Sequence, residues 1–205
     1  MAVSLDEAVE LTRTGDVWLF RGTTAADRTI RLTTNSPVNH VGMAVVIEDL
    51  PPLMWHAELG RSLRDMWTGG HHRGVQLHDL REAVVQWTGR YKQRAWLRQL
   101  EPPAGREMED AALRAVARLD GTPFPSTARL FGRWLYGRAP LPRRHTTDAA
   151  LETAYCAEVV AITYQTMGLL PAKRRPNWYD PGRFWSGDEL PLLGATLGTE
   201  IAVET

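Results

Sequence analysis

Residues 38–47, Val-Asn-His-Val-Gly-Met-Ala-Val-Val-Ile, constrain the fold more than any other stretch of this chain. In extended backbone, successive side chains point to opposite faces. His40, Gly42, Ala44 and Val46 therefore share one face, and Val41, Met43, Val45 and Ile47 share the other. Both faces are apolar except at His40. The segment is expected to be a central strand, covered on both sides, with His40 near its start. After a turn at 48–52, Leu53 to Leu59 reads as its antiparallel partner, with Met54, His56 and Glu58 on one face and Leu53, Trp55, Ala57 and Leu59 on the other.

The other elements follow from local signals. Ser4-Leu5-Asp6-Glu7 reads as a capping box opening a helix with Leu5, Ala8, Val9 and Thr12 on one face. Val17–Phe20 reads as a short strand, 23–37 as a polar loop or short helix, Gly74–Leu77 as a strand and Leu80–Val85 as a short helix. Tyr91–Leu100 is expected as a strand ended by Pro102-Pro103, and Arg106–Leu119 as a helix stopped at Asp120-Gly121. Residues 126–144 interleave Phe131, Trp134 and Tyr136 with arginines, which fits either a surface excursion or the lid of a binding cleft. Residues 171–190 read as loop and Thr196–Val203 as a last strand. With no repeat and no linker, the economical reading is one α+β domain over residues 1–205, strands in the middle and helices at both ends.

The function classes narrow on charge and cysteine count. Lys plus Arg and Asp plus Glu are 24 each, so no global field points to nucleic acid. A single cysteine excludes an internal disulfide framework and a thiolate zinc site. The first residues lack a basic segment followed by an apolar one, and no window reaches 18 apolar residues, so the cytoplasm is the expected location.

The cysteine lies in Tyr155-Cys156-Ala157-Glu158-Val159-Val160, read as the start of a helix that runs to about Met167 and is capped by Gly168. Cys156, Val160, Thr163 and Met167 form one stripe. A thiol in a first helical turn sits at the positive end of the macrodipole, which favours thiolate. The competing reading is a buried small hydrophobe. Thiol chemistry also needs a base, and the base needs an orienting group. His40 supplies the first if the helix of Cys156 packs across its small-residue face, and His56 or Glu58 on the neighbouring strand supplies the second. His71, His72 and His78 fall in or beside a glycine-flanked loop without a helical i, i+4 pattern and read as solvated, so neither a metal site nor a cofactor is expected.

An ordered set of segments carries a family resemblance: Gly15-Asp16-Val17-Trp18-Leu19-Phe20-Arg21-Gly22, Asn39-His40-Val41-Gly42-Met43, His56-Ala57, Gly74-Val75-Gln76-Leu77 and Tyr155-Cys156-Ala157-Glu158. From about Gly15 to Leu170 the chain resembles the circularly permuted branch of the papain-like NlpC superfamily. That branch includes YaeF/YiiX-type amidases and lecithin retinol acyltransferase-like proteins, and in it the histidine strand precedes the cysteine helix. The resemblance implies a permuted papain-like fold with a central antiparallel sheet packed against helices. It implies Cys156 as nucleophile and His40 as general base. His56, immediately before Ala57, takes the third position, where YaeF/YiiX-like sequences tend to have Glu and the acyltransferase-like relatives have His. The expected activity is cysteine hydrolysis of an amide or related acyl bond through a Cys-His-His acyl-enzyme, with lipid acyl transfer, thioester hydrolysis or a non-catalytic binding role as alternatives. Tyr155, Asp16 and Glu58 are the expected binding residues. The expected partner is a small-molecule, peptide or lipid substrate and no nucleic acid, with membrane-surface contact a weaker alternative.

Overall fold

Ser4 starts the first helix as its sequence signature requires. The Ser4 hydroxyl accepts from the Glu7 N–H, and the Glu7 carboxylate accepts from the Ser4 N–H. The computed structural model describes residues 2–22, 36–58, 60–123, 148–188 and 190–205. Among them the helices are α1 (Leu5–Leu11), α2 (Leu80–Val85), α3 (Arg106–Leu119) and α4 (Asp148–Thr166), with one π-helical turn at Gln86–Arg90 following α2. The strands are β1 (Ala2–Ser4), β2 (Val17–Arg21), β3 (His40–Val45), β4 (Leu53–Glu58), β5 (Gly74–Asp79), β6 (Arg94–Arg98), β7 (Leu100–Glu101), β8 (Thr196–Leu197) and β9 (Ile201–Glu204).

Seven strands form one sheet in the order β1-β9-β6-β2-β3-β4-β5, while β7 and β8 pair separately. Every neighbouring pair in the large sheet is antiparallel except β1 with β9 at the edge. The fold is therefore α+β, with a central and almost wholly antiparallel sheet packed against helices, as expected. β3 is an inner strand buried along its whole length.

The register assigns every side chain of the central strands to a layer. Phe20 pairs with His40 and Trp18 with Gly42; Ala44 pairs with Met54, Met54 with His78 and His56 with Gln76. Those residues share one face. It is covered by α1, α2 and the π turn, in a cluster that includes Leu5, Ala8, Trp18, Phe20, Ala44, Met54, Leu80, Val84 and Trp87. The other face carries Val17, Leu19, Val41, Met43, Val45, Trp55, Ala57, Val75 and Leu77, and it is covered by α3 and α4. On that side the Trp55 indole N–H donates to the Thr163 hydroxyl at 3.0 Å, and the Tyr164 hydroxyl donates to the Gly15 carbonyl. Both contacts fasten α4 to the sheet.

Several boundaries differ from those expected. The helix of Cys156 begins at Asp148 rather than at Tyr155, because Ala149, Ala150, Leu151 and Ala154 are good helix formers and no breaker separates them from the thiol. Strand β5 runs on to Asp79 and takes in His78. The expected strand Tyr91–Leu100 contracts to Arg94–Arg98, its beginning being preceded by the π turn. The expected last strand divides into β8 and β9, and β1 had no counterpart in the sequence reading. Residues 126–144 and nearly all of 23–37 lie outside the described residues.

Candidate functional site

Four imidazole and amide side chains from three adjacent strands meet on the α2 side of the sheet. His40 opens β3, His56 is within β4, and Gln76 and His78 alternate on β5. His40 Nε2 lies 3.2 Å from His56 Nδ1, His56 Nε2 lies 2.9 Å from His78 Nδ1, and His78 Nε2 lies 3.1 Å from Gln76 Oε1. The Trp87 ring packs edge-on against two of these rings, 4.3 Å from His40 and 4.8 Å from His56 between centroids.

The far end of this chain fixes its direction. The Gln76 amide nitrogen donates to the Gly74 carbonyl, so Oε1 is the atom turned to His78, and an amide oxygen can only accept. His78 must therefore donate from Nε2, which leaves its Nδ1 as an acceptor. His56 then donates from Nε2 and accepts at Nδ1, and His40 donates from Nε2. Burial keeps all three rings neutral. It pushes His40 down to about 3 and His78 down to about 4. It pushes His56 well below its ordinary value, helped by His78 and His40 on either side. His40 thus ends the chain with its Nδ1 lone pair uncommitted to another histidine.

Glu58 closes the group. Its side chain is 4% exposed, and its Oε2 lies 3.7 Å from His78 Nδ1 with no hydrogen-bond partner among the described residues. Burial pushes its carboxyl up to about 7, against the pull of the Trp87 indole. One ligand atom from each of His56, Glu58 and His78 falls within 4.8 Å of the others, so these three residues could hold a metal ion.

Of the expected site residues, His40 and His56 come together, and His56 rather than Glu58 touches His40. Cys156 does not join them on their face. It is fully buried in the cluster on the opposite side of the sheet, together with Val38, Val41 and Tyr155. The helix does not cross the Gly42 face because that space is taken: a Cβ on Gly42 would collide with the Met54 sulfur. The first-turn argument for thiolate also fails, since Cys156 stands eight residues after the start of α4. Asp16 is fully buried at the opposite end of β2 from Phe20 and His40; its carboxylate accepts from the Arg13 and Leu100 N–H groups and holds the turn before β2. His78 is buried, not solvated.

The sequence reading missed His78, Gln76 and Trp87. The alternation Gly74-Val75-Gln76-Leu77-His78 was the available signal for the first two, had β5 been carried one residue further. Trp87 sits on a π turn, which leaves no periodic mark.

No family model matches the chain, and no curated protein matches it. Among solved structures it is similar to the crystal structure of the metalloprotein yiiX from Escherichia coli O157:H7 (DUF1105). The match has a TM-score of 0.50 at 17% identity and covers 95% of this chain and 97% of that one. Among the described residues no helix is long and apolar enough to cross a membrane. The fold of this chain is the yiiX fold, the permuted papain-like architecture that its segments resemble.

Proposed function

We propose that this protein hydrolyses an acyl bond through a thioester intermediate, with Cys156 as nucleophile, His40 as general base and His56 as the residue that orients His40. The observation that carries the reading is the directed chain from His40 to Gln76, which holds the His40 ring by its Nε2 and leaves a lone pair at Nδ1. A base held in one tautomer by a second group is what thiol activation requires. The permuted papain-like fold supports the same chemistry.

In this reading the thiol proton passes to His40 Nδ1 as sulfur attacks the acyl carbon. The imidazolium returns that proton to the departing amine or alkoxide as the scissile bond breaks. Water then attacks the thioester, His40 again taking its proton, and the acid leaves with the thiol restored. The reading makes one structural demand. Cys156 and His40 belong to opposite layers, so they meet only round the N-terminal end of β3, where Val38 and Val41 on the thiol's layer flank His40 in sequence.

The test is intact-mass and peptide mass spectrometry after mixing with an activated acyl ester such as p-nitrophenyl acetate. An acetyl group on Cys156, a burst of nitrophenolate and loss of both in Cys156→Ala are expected. Turnover that persists in Cys156→Ala, against a protein-free blank, overturns the assignment.

A further inference from the structure

Each hydrogen-bonding position of His56 and His78 is satisfied in the directed chain, yet Glu58 Oε2 is buried beside them with no hydrogen bond among the described residues. A carboxylate oxygen in that position, 3.7 Å from an imidazole nitrogen that can only accept from its neighbour, calls for a cation. We propose that His56 Nε2, His78 Nδ1 and Glu58 Oε2 bind one divalent transition-metal cation of the zinc class. This inference shares His40 and His56 with the thiol reading, which describes the metal-free protein because a bound ion puts the His40 proton on Nδ1, but its test reads metal binding and involves neither Cys156 nor turnover.

Three points of geometry carry it. First, the two nitrogens face each other at 2.9 Å. Two imidazoles on one ion at ordinary metal–nitrogen distances are separated by about 2.9 Å at a right angle and about 3.4 Å at the tetrahedral angle. Second, one ligand atom from each of the three residues already lies within 4.8 Å of the others, and Glu58 Oε2 is 3.7 Å from His78 Nδ1, so closing on an ion needs small side-chain shifts rather than backbone movement. Third, the outer nitrogens of both rings have acceptors in place. His78 Nε2–H donates to Gln76 Oε1. His56 Nδ1, once it carries the proton that leaves Nε2, donates to His40 Nε2 across the existing 3.2 Å contact. Metal-bound histidines characteristically donate their second N–H in this way.

The change of tautomer balances within the chain. The proton between His56 and His78 is displaced to His56 Nδ1, and the His40 proton moves from Nε2 to Nδ1. No ring gains or loses a net proton, and the ion takes the two freed lone pairs with one from Glu58. Two imidazoles and a carboxylate make a donor set of borderline softness that suits zinc or cobalt better than calcium.

The experiment is titration of EDTA-dialysed full-length protein with Co(II), read by visible ligand-field bands and by equilibrium dialysis, with Zn(II) as competitor. One Co(II) per chain, displaced by Zn(II), is expected. Glu58→Gln and His78→Ala should each weaken binding at least about 100-fold, while the double variant His71→Ala/His72→Ala, on the partly exposed loop, should bind as the parent does. Circular dichroism checks that the variants are folded. X-ray absorption on the Co(II)-loaded parent gives a readout that needs no variant, and two imidazole ligands are expected in its outer-shell scattering. Absence of stoichiometric binding by the parent overturns the proposal. So does binding that survives Glu58→Gln but is lost with His71 and His72.

Discussion

Asp16→Asn separates a structural from a substrate-binding role by its dependence on pH. Asp16 is fully buried. Its Oδ2 accepts from the Arg13 N–H and its Oδ1 from the Leu100 N–H, each at 2.8 Å. Asparagine offers one carbonyl oxygen, so one of these N–H groups faces an amide NH2 instead, at a cost of about 1–3 kcal/mol at any pH. A second effect opposes this one. Burial pushes the Asp16 carboxyl up from 3.8 to about 6, against its bonds to Leu100 and Arg13. The folded protein therefore holds that proton up to about pH 6, whereas the unfolded chain releases it near 3.8. Stability falls as pH rises through this window, by about 3 kcal/mol in all and by about 2 kcal/mol between pH 4.5 and 8. Asparagine carries no charge and escapes this loss. Urea unfolding of both proteins at the two pH values isolates the effect, since the broken hydrogen bond and all other titrating groups cancel in the double difference. The variant should gain about 2 kcal/mol on the parent between pH 4.5 and pH 8. An equal stability difference at both pH values would refute the reasoning, and a raised KM at unchanged kcat would return Asp16 to the substrate.

Two further predictions address the site and its support. His56→Ala should lower turnover by about 10–1000-fold, because it releases His40 without removing it, and the loss should exceed that in Glu58→Gln by at least about tenfold under metal-free conditions, measured on one substrate at one pH; the reverse ranking gives the orienting role to Glu58. Trp55→Phe removes the indole donor to Thr163 while that hydroxyl keeps its bond to the Val159 carbonyl. It should therefore cost about 1–3 kcal/mol in urea unfolding with far-UV circular dichroism unchanged, and no loss of stability would show that this bond does not fasten α4 to the sheet.

What the sequence made legible was strand parity, and what it hid was layer. The alternation in residues 38–47 and 53–59 put His40 with Gly42 and Ala44, and Met54 with His56 and Glu58, and the register of β3 on β4 keeps those sets on one face. Parity does not say which helix covers which face. Gly42 and Ala44 suggested room for the helix of Cys156, but small residues also let a neighbouring side chain lie across them, and here Met54 does so. The Cys156 stripe is buried against the sheet, but on the other face: Thr163 on that stripe meets Trp55, on the face opposite His56. His78 falls beyond a strand boundary placed two residues short, although the alternation of apolar Val75 and Leu77 with polar Gln76 continues into it.

The position of His40 within its strand explains why it, and not another member of the histidine chain, is the base in the thiol reading. His56 is the fourth residue of β4 and His78 the fifth of β5, so each ring is confined to its own layer by strand on both sides of it in sequence. His40 is the first residue of β3. Immediately before it the chain changes layers: Val38 belongs to the cluster of Cys156, whereas the His40 ring packs on Phe20 and Trp87. Asn39 lies between them, its side-chain oxygen accepting from the Gly22 N–H at 2.7 Å, which pins this crossing to the end of β2. The hydrogen-bonded chain anchored at Gln76 inside one layer therefore ends at the point of the sheet nearest in sequence to the other layer. A thiol on α4 cannot reach a histidine through a hydrogen-bonded sheet, but it can reach one at the end of a strand.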